Sequence, residues 1–452
     1  MNHIKELRHQ KVLVLGLAKS GTAAAEMLHE LGAFVTVNDA KPFEQNDHAQ
    51  QLLKQGMTVI CGSHPENLLD EGFSLIVKNP GIPYSNPVLQ EAKKREIPIW
   101  TEIELAYRIS EAQMIGITGS NGKTTTTTLV AEMLAKGPLQ PLVAGNIGTV
   151  ATSVAKDATK NNIIVTELSS FQLMGTVKLK PSIAIITNIY EAHLDYHSDL
   201  EEYIDAKLTV AKNQTSEDVL IYNAEQPVLA ERAEKLNTTL LPFYVSAKNA
   251  NGISADAEWV YWKGEPLYKR EEIRLPGKHN LENVLAATAA ALLVGAPLEQ
   301  IRETVSTFAG VKHRTQYVGE WNDRLFYNDS KATNALATKS ALEGFTRPVI
   351  LLAGGKERQH SFDELIPYLP SIKAICHFGE TSERLQQFAK MHDVLAYPFE
   401  NLADAFSKAV ELSAPQDVVL LSPASASWDQ YESFEIRGDE FIHLVDQLIA
   451  KG

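Results

Sequence analysis

The chain has 452 residues and a formal net charge of −14 at pH 7. This length exceeds what one hydrophobic core usually supports, so we expect about two to four domains. The excess of acidic residues argues against nucleic acid or an anionic membrane surface as a partner. The two cysteines, Cys61 and Cys376, fit no metal or redox spacing, and no apolar run approaches the roughly 18–20 residues of a membrane span. We therefore expect an enzyme of the reducing cytoplasm with no membrane partner.

The N-terminal region alternates apolar strands with helices. One strand ends in Gly-Leu-Ala-Lys-Ser-Gly at residues 16–21, a helix follows, and the next strand, residues 34–39, ends in Asp39. Such alternation predicts a parallel sheet that binds ligands at the carboxyl ends of its strands. A dinucleotide fingerprint would place glycine where Ala18 stands, so the pattern favours a nucleotide diphosphate with Asp39 near its base or ribose. A plain strand–helix turn and a redox cofactor site stay open.

The most informative motif follows another apolar strand, at Thr118-Gly-Ser-Asn-Gly-Lys-Thr-Thr125. Its glycines leave backbone N–H groups free for phosphate oxygens, Lys123 adds a mobile positive charge, and Thr124 adds a hydroxyl suited to Mg²⁺. The usual phosphate-loop pattern has a further glycine where this chain has Ile117. The loop is therefore a variant of that pattern, and we expect it to bind a nucleotide phosphate.

Two polar residues follow later strands of the same region. Glu167 ends the predicted strand 162–167, where an acid beside a phosphate loop is suited to Mg²⁺, although it could equally start a helix. His193 follows the predicted strand 182–188 and is predicted to be a site residue. Between residues 244 and 275 the sequence changes to short alternating runs separated by turns. This change predicts a small antiparallel extension of the sheet.

Lys207 interrupts the apolar face of a predicted helix. The apolar positions with helical spacing in residues 200–213 are Leu200, Tyr203, Ile204, Leu208 and Ala211. Lys207 lies on the same stripe. A buried ammonium is costly unless it is paired or chemically changed. The alternative is a side chain whose charged end reaches past its neighbours to water.

The C-terminal region, from about residue 311, is predicted to form another α/β unit. Its predicted strands are residues 349–352, 374–378 and 417–421. Polar segments follow apolar stretches at residues 328–334, 353–358 and 421–430. Because such segments meet at the carboxyl edge of a parallel sheet, we expect them to form a second substrate site.

Along its whole length the chain resembles the Mur ligase family of peptidoglycan synthesis. The motifs that carry the resemblance are residues 118–125, Gly145-Asn-Ile-Gly148, Glu167-Leu-Ser-Ser-Phe-Gln-Leu173, His193-Leu-Asp195, Gly277-Lys-His-Asn-Leu-Glu-Asn283, His313-Arg314 and residues 328–334. Within the family, residues 167–173 and Ser422-Pro-Ala-Ser-Ala-Ser-Trp-Asp-Gln430 are similar to members that add D-glutamate. The Asp-Asn-Pro-Arg signature of diaminopimelate-adding members does not occur in the sequence.

The resemblance implies an α/β protein of three domains. The N-terminal domain, residues 1–105, would be Rossmann-like and bind the UDP moiety, and the central domain, residues 106–310, would be a P-loop ATPase-like parallel sheet carrying the antiparallel extension. Residues 311–452 would form a Rossmann-like domain for the amino acid. ATP would phosphorylate the carboxylate of UDP-N-acetylmuramoyl-L-alanine, and D-glutamate would then displace phosphate, with two Mg²⁺ ions assisting. We expect a monomer.

The resemblance also implies roles for individual residues. The catalytic residues would be Lys123, His193 and Lys207, the last as a carbamate. The ATP site would comprise Gly119, Ser120, Asn121, Gly122, Lys123, Thr124, Thr125, Asn280, Asn283, Arg314 and Asp329. The UDP-substrate site would comprise Leu17, Ala18, Lys19, Ser20, Asp39, Asn146, Ser169 and His193. The D-glutamate site would comprise Lys331, Thr333, Arg358, Ser427 and Phe434. The metal ligands would be Thr124, Glu167, His193 and carbamylated Lys207.

Two positions depart from the family pattern, and three other functions compete with it. Gln316 stands where a glutamate is expected, which leaves its role open, and Arg358 stands where some relatives have lysine, with Lys356 as the alternative in register. A folylpolyglutamate synthase-like ligase would lack the N-terminal nucleotide-binding region. An NAD-dependent oxidoreductase would leave Lys123 and Glu167 unexplained. A binding protein without ligase activity would release no phosphate when given both substrates.

Overall fold

The computed structural model describes residues 5–191, 196–359 and 361–451. It divides into two compact units, Met1–Glu272 with Glu282–Val305 and Ile273–Leu281 with Ser306–Gly452. The first unit contains two β-sheets and the second contains one. The predicted three-domain α/β class is confirmed, whereas the predicted domain boundaries stay a prediction. Within the described residues, no helix has the length and apolar character needed to cross a membrane.

The first sheet is parallel and has the strand order β3-β2-β1-β4-β5. Its strands are β1 Lys11–Leu15, β2 Phe34–Asp39, β3 Thr58–Cys61, β4 Leu75–Lys78 and β5 Ile99–Thr101. Near-continuous apolar runs form β1 and β4, because both faces of a central parallel strand are buried. The chain order reverses between β1 and β4, which opens a crevice at their carboxyl ends, where such sheets bind ligands.

The second sheet has nine strands in the order β14-β13-β12-β11-β10-β9-β6-β8-β7. They are β6 Gln113–Thr118, β7 Gln140–Gly145, β8 Asn162–Glu167, β9 Ile183–Ile186, β10 Val219–Asn223, β11 Thr239–Tyr244, β12 Ile253–Ala255, β13 Trp259–Trp262 and β14 Glu265–Lys269. Strands β12 to β14 pair antiparallel, as predicted for this region. β6 lies between β8 and β9, so the loop that follows β6 leaves from an interior strand of the sheet.

The third sheet has the order β15-β16-β20-β17-β18-β19. Its strands are β15 Gln316–Trp321, β16 Arg324–Asn328, β17 Val349–Gly354, β18 Ile372–Phe378, β19 Ala396–Pro398 and β20 Val418–Leu421. The antiparallel hairpin of β15 and β16 was not predicted. β16, β20 and β17 are adjacent and parallel, with Asn328 and Leu352 both opposite Leu421. The three predicted polar segments follow these three strands and therefore meet at one edge of the sheet, as expected.

Fifteen α-helices connect the strands in the described part of the chain. In the first unit they include α1 Lys19–Glu30, α2 Asp47–Lys54, α3 Pro87–Lys94, α4 Glu102–Ile109, α5 Lys123–Met133, α6 Ala151–Asp157, α7 Ser170–Leu173, α8 Leu200–Leu208 and α9 Pro227–Ala233. They continue with α10 Lys278–Val294, α11 Leu298–Thr307, α12 Ala335–Leu342, α13 Ser382–Met391, α14 Leu402–Leu412 and α15 Phe434–Ala450. Helices α1 and α5 begin directly after the glycine turns that follow β1 and β6.

Candidate active site

The phosphate loop, residues 119–122, connects β6 to α5 and depends on two glycines. Gly119 has φ +148° and Gly122 has φ +80°, a backbone region that side chains rarely adopt. A Cβ on Gly119 would collide with Thr187 Oγ1, and one on Gly122 would collide with the Asn283 side-chain oxygen. The backbone thus approaches its neighbours closely, and Asn283 of α10 packs directly against the loop. Asn283 also accepts a hydrogen bond from Thr126 Oγ1 at 3.3 Å.

The phosphate loop is held in place by neighbouring side chains. Asn121 N donates to Asn188 Oδ1 at 2.9 Å, and Thr187 Oγ1 donates to the Asn121 carbonyl at 2.6 Å. Ser120 Oγ lies 2.9 Å from the Tyr203 hydroxyl. Lys123 Nζ donates to the carbonyls of Gly119 and Ser120, both at 2.8 Å, so its charge lies over the loop. This arrangement presents a lysine and a helix N-terminus to an anion.

Glu167 lies at the carboxyl end of β8, beside the start of α5. Thr124 Oγ1 donates to Glu167 Oε2 at 2.8 Å, and Asn146 Nδ2 donates to Glu167 Oε1 at 2.9 Å. The Asn146 backbone N–H also donates to the Glu167 carbonyl at 2.9 Å. Three predicted site residues, each on a different strand–helix connection, are thereby brought together. The Thr124 hydroxyl, the Asn146 side-chain amide and the Glu167 carboxylate thus form a compact polar group at the start of α5.

Lys207 is buried, with 2% of its surface exposed. Its Nζ donates to the Gly119 carbonyl at 2.8 Å and lies 4.5 Å from the centre of the Tyr203 ring. Burial lowers the pKa of Lys207 well below its ordinary value, and the Lys123 cation lowers it further. The predicted stripe is confirmed around Lys207, but Leu200 is 37% exposed because it is the first residue of α8. The lysine thus faces the phosphate loop as a buried amine.

The turn after β1 contains the predicted UDP-binding residues. Leu17 is buried, whereas Ala18 and Lys19 are exposed. Ser20 Oγ accepts a hydrogen bond from Asn79 Nδ2 at 3.0 Å. Asp39 accepts from the backbone N–H of Leu17 at 2.6 Å and of Lys41 at 2.8 Å. The structure brings this turn and Asp39 together at the crevice between β1 and β4.

Two residues predicted for the UDP-substrate site, Ser169 and His193, are not part of the turn after β1. Ser169 Oγ accepts from the Gln172 N–H at 3.3 Å and caps α7, so its hydroxyl already has a structural role. His193 lies outside the residues that the structure describes. The buried charged residues that the sequence analysis did not single out include Lys78 at the end of β4 and Arg437 in α15.

In the second unit, the residues predicted to bind the amino acid lie at the sheet edge where β16, β20 and β17 end. Lys331 Nζ is 4.9 Å from the centre of the Phe434 ring, and the Arg358 guanidinium is 4.5 Å from that of Trp428. Ser427 is buried, and Thr333 is half-buried. Lys356, the alternative to Arg358, pairs with Glu380 at 2.7 Å. Arg358 is therefore the more accessible of the two cations.

Asp329 and Gln316 organise the backbone around His313. Asp329 accepts from Ser422 Oγ at 2.7 Å and from the Thr315 N–H at 3.0 Å, and burial raises its pKa to about 7. Gln316 Oε1 accepts from the His313 N–H at 3.1 Å, which gives this residue a structural role. His313 has φ +65°. Arg314 contributes a nearby positive charge that favours the ionised form of Asp329.

Asn280 lies in the first turn of α10, within the part of that helix assigned to the second unit. Its Nδ2 donates to the Pro276 carbonyl at 2.7 Å. Asn283, one turn later in the same helix, belongs to the first unit.

Comparison with known proteins identifies the family. The Mur ligase MurD-like N-terminal domain matches residues 10–101, the Mur ligase middle domain residues 117–291, and the Mur ligase glutamate ligase domain residues 313–425. The chain is 52% identical over 452 residues to the UDP-N-acetylmuramoylalanine--D-glutamate ligase of Listeria monocytogenes serotype 4b, covering 100% of this chain and 99% of that protein. It is 54% identical over 449 residues to the protein of the same name from Shouchella clausii, covering 99% of each.

Solved structures share the fold at low identity. MurF ligase from Thermotoga maritima, crystallised with ADP, superposes with a TM-score of 0.57 at 14% identity, over 100% of this chain and 97% of that one. UDP-N-acetylmuramate-alanine ligase MurC from Thermotoga maritima gives 0.57 at 20% identity, over 97% and 100%. Because three family domains match in order and relatives at more than 50% identity match its whole length, the chain belongs to the Mur ligase family.

Proposed function

We propose that this chain is an ATP-dependent ligase that joins D-glutamate to UDP-N-acetylmuramoyl-L-alanine in peptidoglycan precursor synthesis. An oxygen of the alanyl carboxylate attacks the γ-phosphorus of ATP, and ADP leaves. The amine of D-glutamate then attacks the carbonyl carbon of the acyl phosphate, phosphate leaves, and the nitrogen loses a proton. The observation that carries this proposal is the group formed by Lys123, Thr124 and Glu167 at the phosphate loop of a Mur ligase chain.

Lys123 is proposed to neutralise charge on the transferred phosphoryl group. Its Nζ rests on two loop carbonyls at 2.8 Å, an arrangement that a phosphate could replace without moving the backbone. The N–H groups of the loop and of the first turn of α5 would bind the remaining phosphate oxygens. Asn283, packed against Gly122, is proposed to contact the nucleotide, as are Asn280, Arg314 and Asp329.

Two Mg²⁺ ions are part of the proposal, and the residues present suit at least one. Thr124 and Glu167 offer hydroxyl and carboxylate oxygens within 2.8 Å of each other, which are the ligands Mg²⁺ prefers. Among the described residues, no group of three or more His, Cys, Asp or Glu side chains could hold a metal. An ion here would therefore rely on nucleotide phosphates as further ligands, as is common for Mg²⁺. When bound, it would offset phosphate charge.

Lys207 is proposed to carry a carbamate. The neutral amine that burial favours attacks the carbon of CO₂, and a proton passes to water, which leaves an anion on the former amine. An ammonium on Lys207 is repelled by the Lys123 ammonium, whereas a carbamate on Lys207 would attract it. His193 and the carbamate are proposed to serve the second ion.

The two substrates are assigned to the sheet edges that the structure displays. The turn with Asp39 is proposed to bind the uridine diphosphate end, while Asn146 and Ser169 contact the muramoyl-alanine end. Arg358 is proposed to pair with a carboxylate of D-glutamate, with Lys331, Thr333, Ser427 and Phe434 around it. We further propose that the enzyme acts as a monomer in the cytoplasm; its two cysteines are free thiols, which suits a reducing compartment.

Phosphate release tests the proposal directly. The protein is given UDP-N-acetylmuramoyl-L-alanine, ATP and Mg²⁺, together with a panel of amino acids in both enantiomers. We expect phosphate release that depends on all components and selects D-glutamate. Release that ignores D-glutamate, or that is equal with L-glutamate, would refute the assignment. A folate acceptor with L-glutamate and an NADH absorbance assay test the two competing functions.

A further inference from the structure

Arg437 is a completely buried arginine that takes no part in the proposed reaction. It lies in the first turns of α15 and has 0% of its surface exposed. It shares one face of the helix with Phe441 and Val445, both also fully buried. Burial lowers its pKa to about 10, so the guanidinium stays charged at neutral pH. A cation is thus held under the edge that carries the proposed amino-acid site.

The hydrogen bonds of Arg437 join three separate loops. Its Nη2 donates to the Ser330 carbonyl at 2.9 Å and the Ser425 carbonyl at 3.1 Å, and its Nη1 donates to the Gly354 carbonyl at 3.2 Å. Its Nε donates to Ser330 Oγ at 3.0 Å. Ser330 and Ser425 lie in the segments that follow β16 and β20, and Gly354 is the last residue of β17, within the polar segment 353–358. One planar group therefore connects all three polar segments of this edge.

The network extends to the start of α15. Ser330 Oγ accepts from Arg437 and donates to the Phe434 carbonyl at 2.8 Å. Residues proposed to surround D-glutamate lie close to these contacts in the chain: Lys331 follows Ser330, and Ser427 is two residues from Ser425. A shift of any one loop would change the spacing among them.

Stability alone does not account for a cation here. Well-packed apolar residues are often as stabilising as a buried charged group. A guanidinium, however, offers five N–H donors in a rigid plane and can fix acceptors in several directions, which lysine cannot do. The side chain suits a position where three loops must keep a set distance from one another.

We propose that Arg437 is a positioning residue for the amino-acid site, because its guanidinium fixes the relative placement of the three loops that hold D-glutamate. It acts through Ser330, Gly354 and Ser425 and does not touch the substrate. This inference rests on the proposed function of that edge. Positioning errors of about 1 Å can cost up to about a hundredfold in rate, so the loss from a weakened network is measurable.

The test compares Arg437→Lys and Ser330→Ala with the control Arg324→Lys. Arg324 also donates to backbone carbonyls, those of Ser413 and Asn322, but it lies at the opposite end of β16. We expect Arg437→Lys to raise KM for D-glutamate about tenfold and Ser330→Ala to raise it about threefold, with KM for ATP and for the UDP substrate within about twofold of wild type. Arg324→Lys should leave all three KM values unchanged.

Each result decides one question. Equal rises in all three KM values, or folded variants with an unchanged KM for D-glutamate, would overturn the positioning role. If Arg437→Lys fails to fold, as seen in thermal unfolding, Ser330→Ala decides alone. A wild-type protein without D-glutamate-dependent phosphate release would instead refute the proposed function, and the inference would fall with it.

Discussion

Two buried lysines of the first unit, Lys78 and Lys207, have the same chemistry but differ in the number of oxygen acceptors around their amino groups. Lys78 is 1% exposed and Lys207 is 2% exposed. Lys78 Nζ donates to the carbonyls of Pro80 at 3.2 Å and Ile82 at 2.9 Å and to the Tyr196 hydroxyl at 3.0 Å. Its three N–H donors therefore each have an oxygen acceptor, and the Tyr84 ring centre lies 4.7 Å away.

The surroundings of Lys207 disfavour an ammonium. Its hydrogen bond among the described residues goes to the Gly119 carbonyl, an acceptor that Lys123 shares, and Lys123 repels a positive charge there. Lys78 thus connects the segment after β4 to Tyr196, which is a structural task. Lys207 sits where an anion would be better accommodated, which is the condition for a carbamate. Because a second lysine lowers the pKa in both cases, through Lys93 for Lys78 and Lys123 for Lys207, the hydrogen-bond acceptors are what distinguish the two sites.

The largest expected effect is the loss of kcat in Lys207→Ala. Removing a charged group at a phosphoryl-transfer site typically costs about a hundredfold or more, so we expect at least that loss in kcat. Thermal unfolding should change little, because alanine fits the apolar stripe. Formate or acetate should restore part of the activity by occupying the anion position. Lys212→Ala, an exposed lysine close by, is the control. Retained activity without added acid would contradict the assignment.

Replacing Lys78 or Lys207 with methionine should change the free energy of unfolding in different ways. Lys78→Met removes the donor shared by the Pro80 and Ile82 carbonyls. The Tyr196 hydroxyl, at 3.0 and 3.1 Å from these oxygens, has one hydrogen and can donate to only one of them. We expect the free energy of unfolding to fall by about 2 kcal/mol, roughly thirtyfold in the folding equilibrium. Lys207→Met replaces a buried amine whose hydrogen bond among the described residues goes to the Gly119 carbonyl, so stability should stay equal or rise. Urea unfolding monitors both. A Lys207→Met variant that is the less stable of the two would reverse the comparison.

The neighbourhood of Lys78 should serve the UDP end of the reaction. The segment after β4 contacts the turn after β1 through Asn79 and Ser20. Asp39→Ala at this edge should raise KM for the UDP substrate about tenfold, because a charged hydrogen-bond acceptor is lost, with KM for ATP unchanged. Asp39→Asn retains an acceptor for the Leu17 N–H and should be milder. An effect confined to ATP would contradict this assignment.

The smallest effect concerns pH. The pKa of Lys78 falls from about 10.5 to about 7 on folding because of burial. Between these values the unfolded chain binds more protons than the folded one, so stability should rise with pH. Lys78→Met should remove about 1 kcal/mol of the rise between pH 7 and pH 8. Lys207 is present in both the wild type and Lys78→Met. The difference between their free energies of unfolding, plotted against pH, therefore isolates the contribution of Lys78. An identical pH dependence of stability in the wild type and Lys78→Met would contradict a lowered pKa for Lys78.

Sequence patterns predicted those features that depend on local order. The strands at residues 34–39 and 162–167 have the predicted bounds, because apolar runs end at a polar residue. The hairpin of β15 and β16 was missed because β15 is a half-exposed edge strand with an irregular register near Tyr317. The contact of Lys78 with Tyr196 and those of Arg437 with Ser330 and Gly354 join residues far apart in the chain, which local patterns do not reveal. For Arg437 the spacing to Phe441 and Val445 was a usable signal of burial.

The carbamate on Lys207 can be observed directly. Protein equilibrated with ¹³C-labelled bicarbonate is measured by ¹³C NMR, together with the Lys207→Met and Lys78→Met variants. The comparison predicts a carbamate resonance in the wild type that is absent in Lys207→Met and retained in Lys78→Met. No such resonance in the wild type, or one that persists in Lys207→Met and disappears in Lys78→Met, would contradict the assignment of the two lysines.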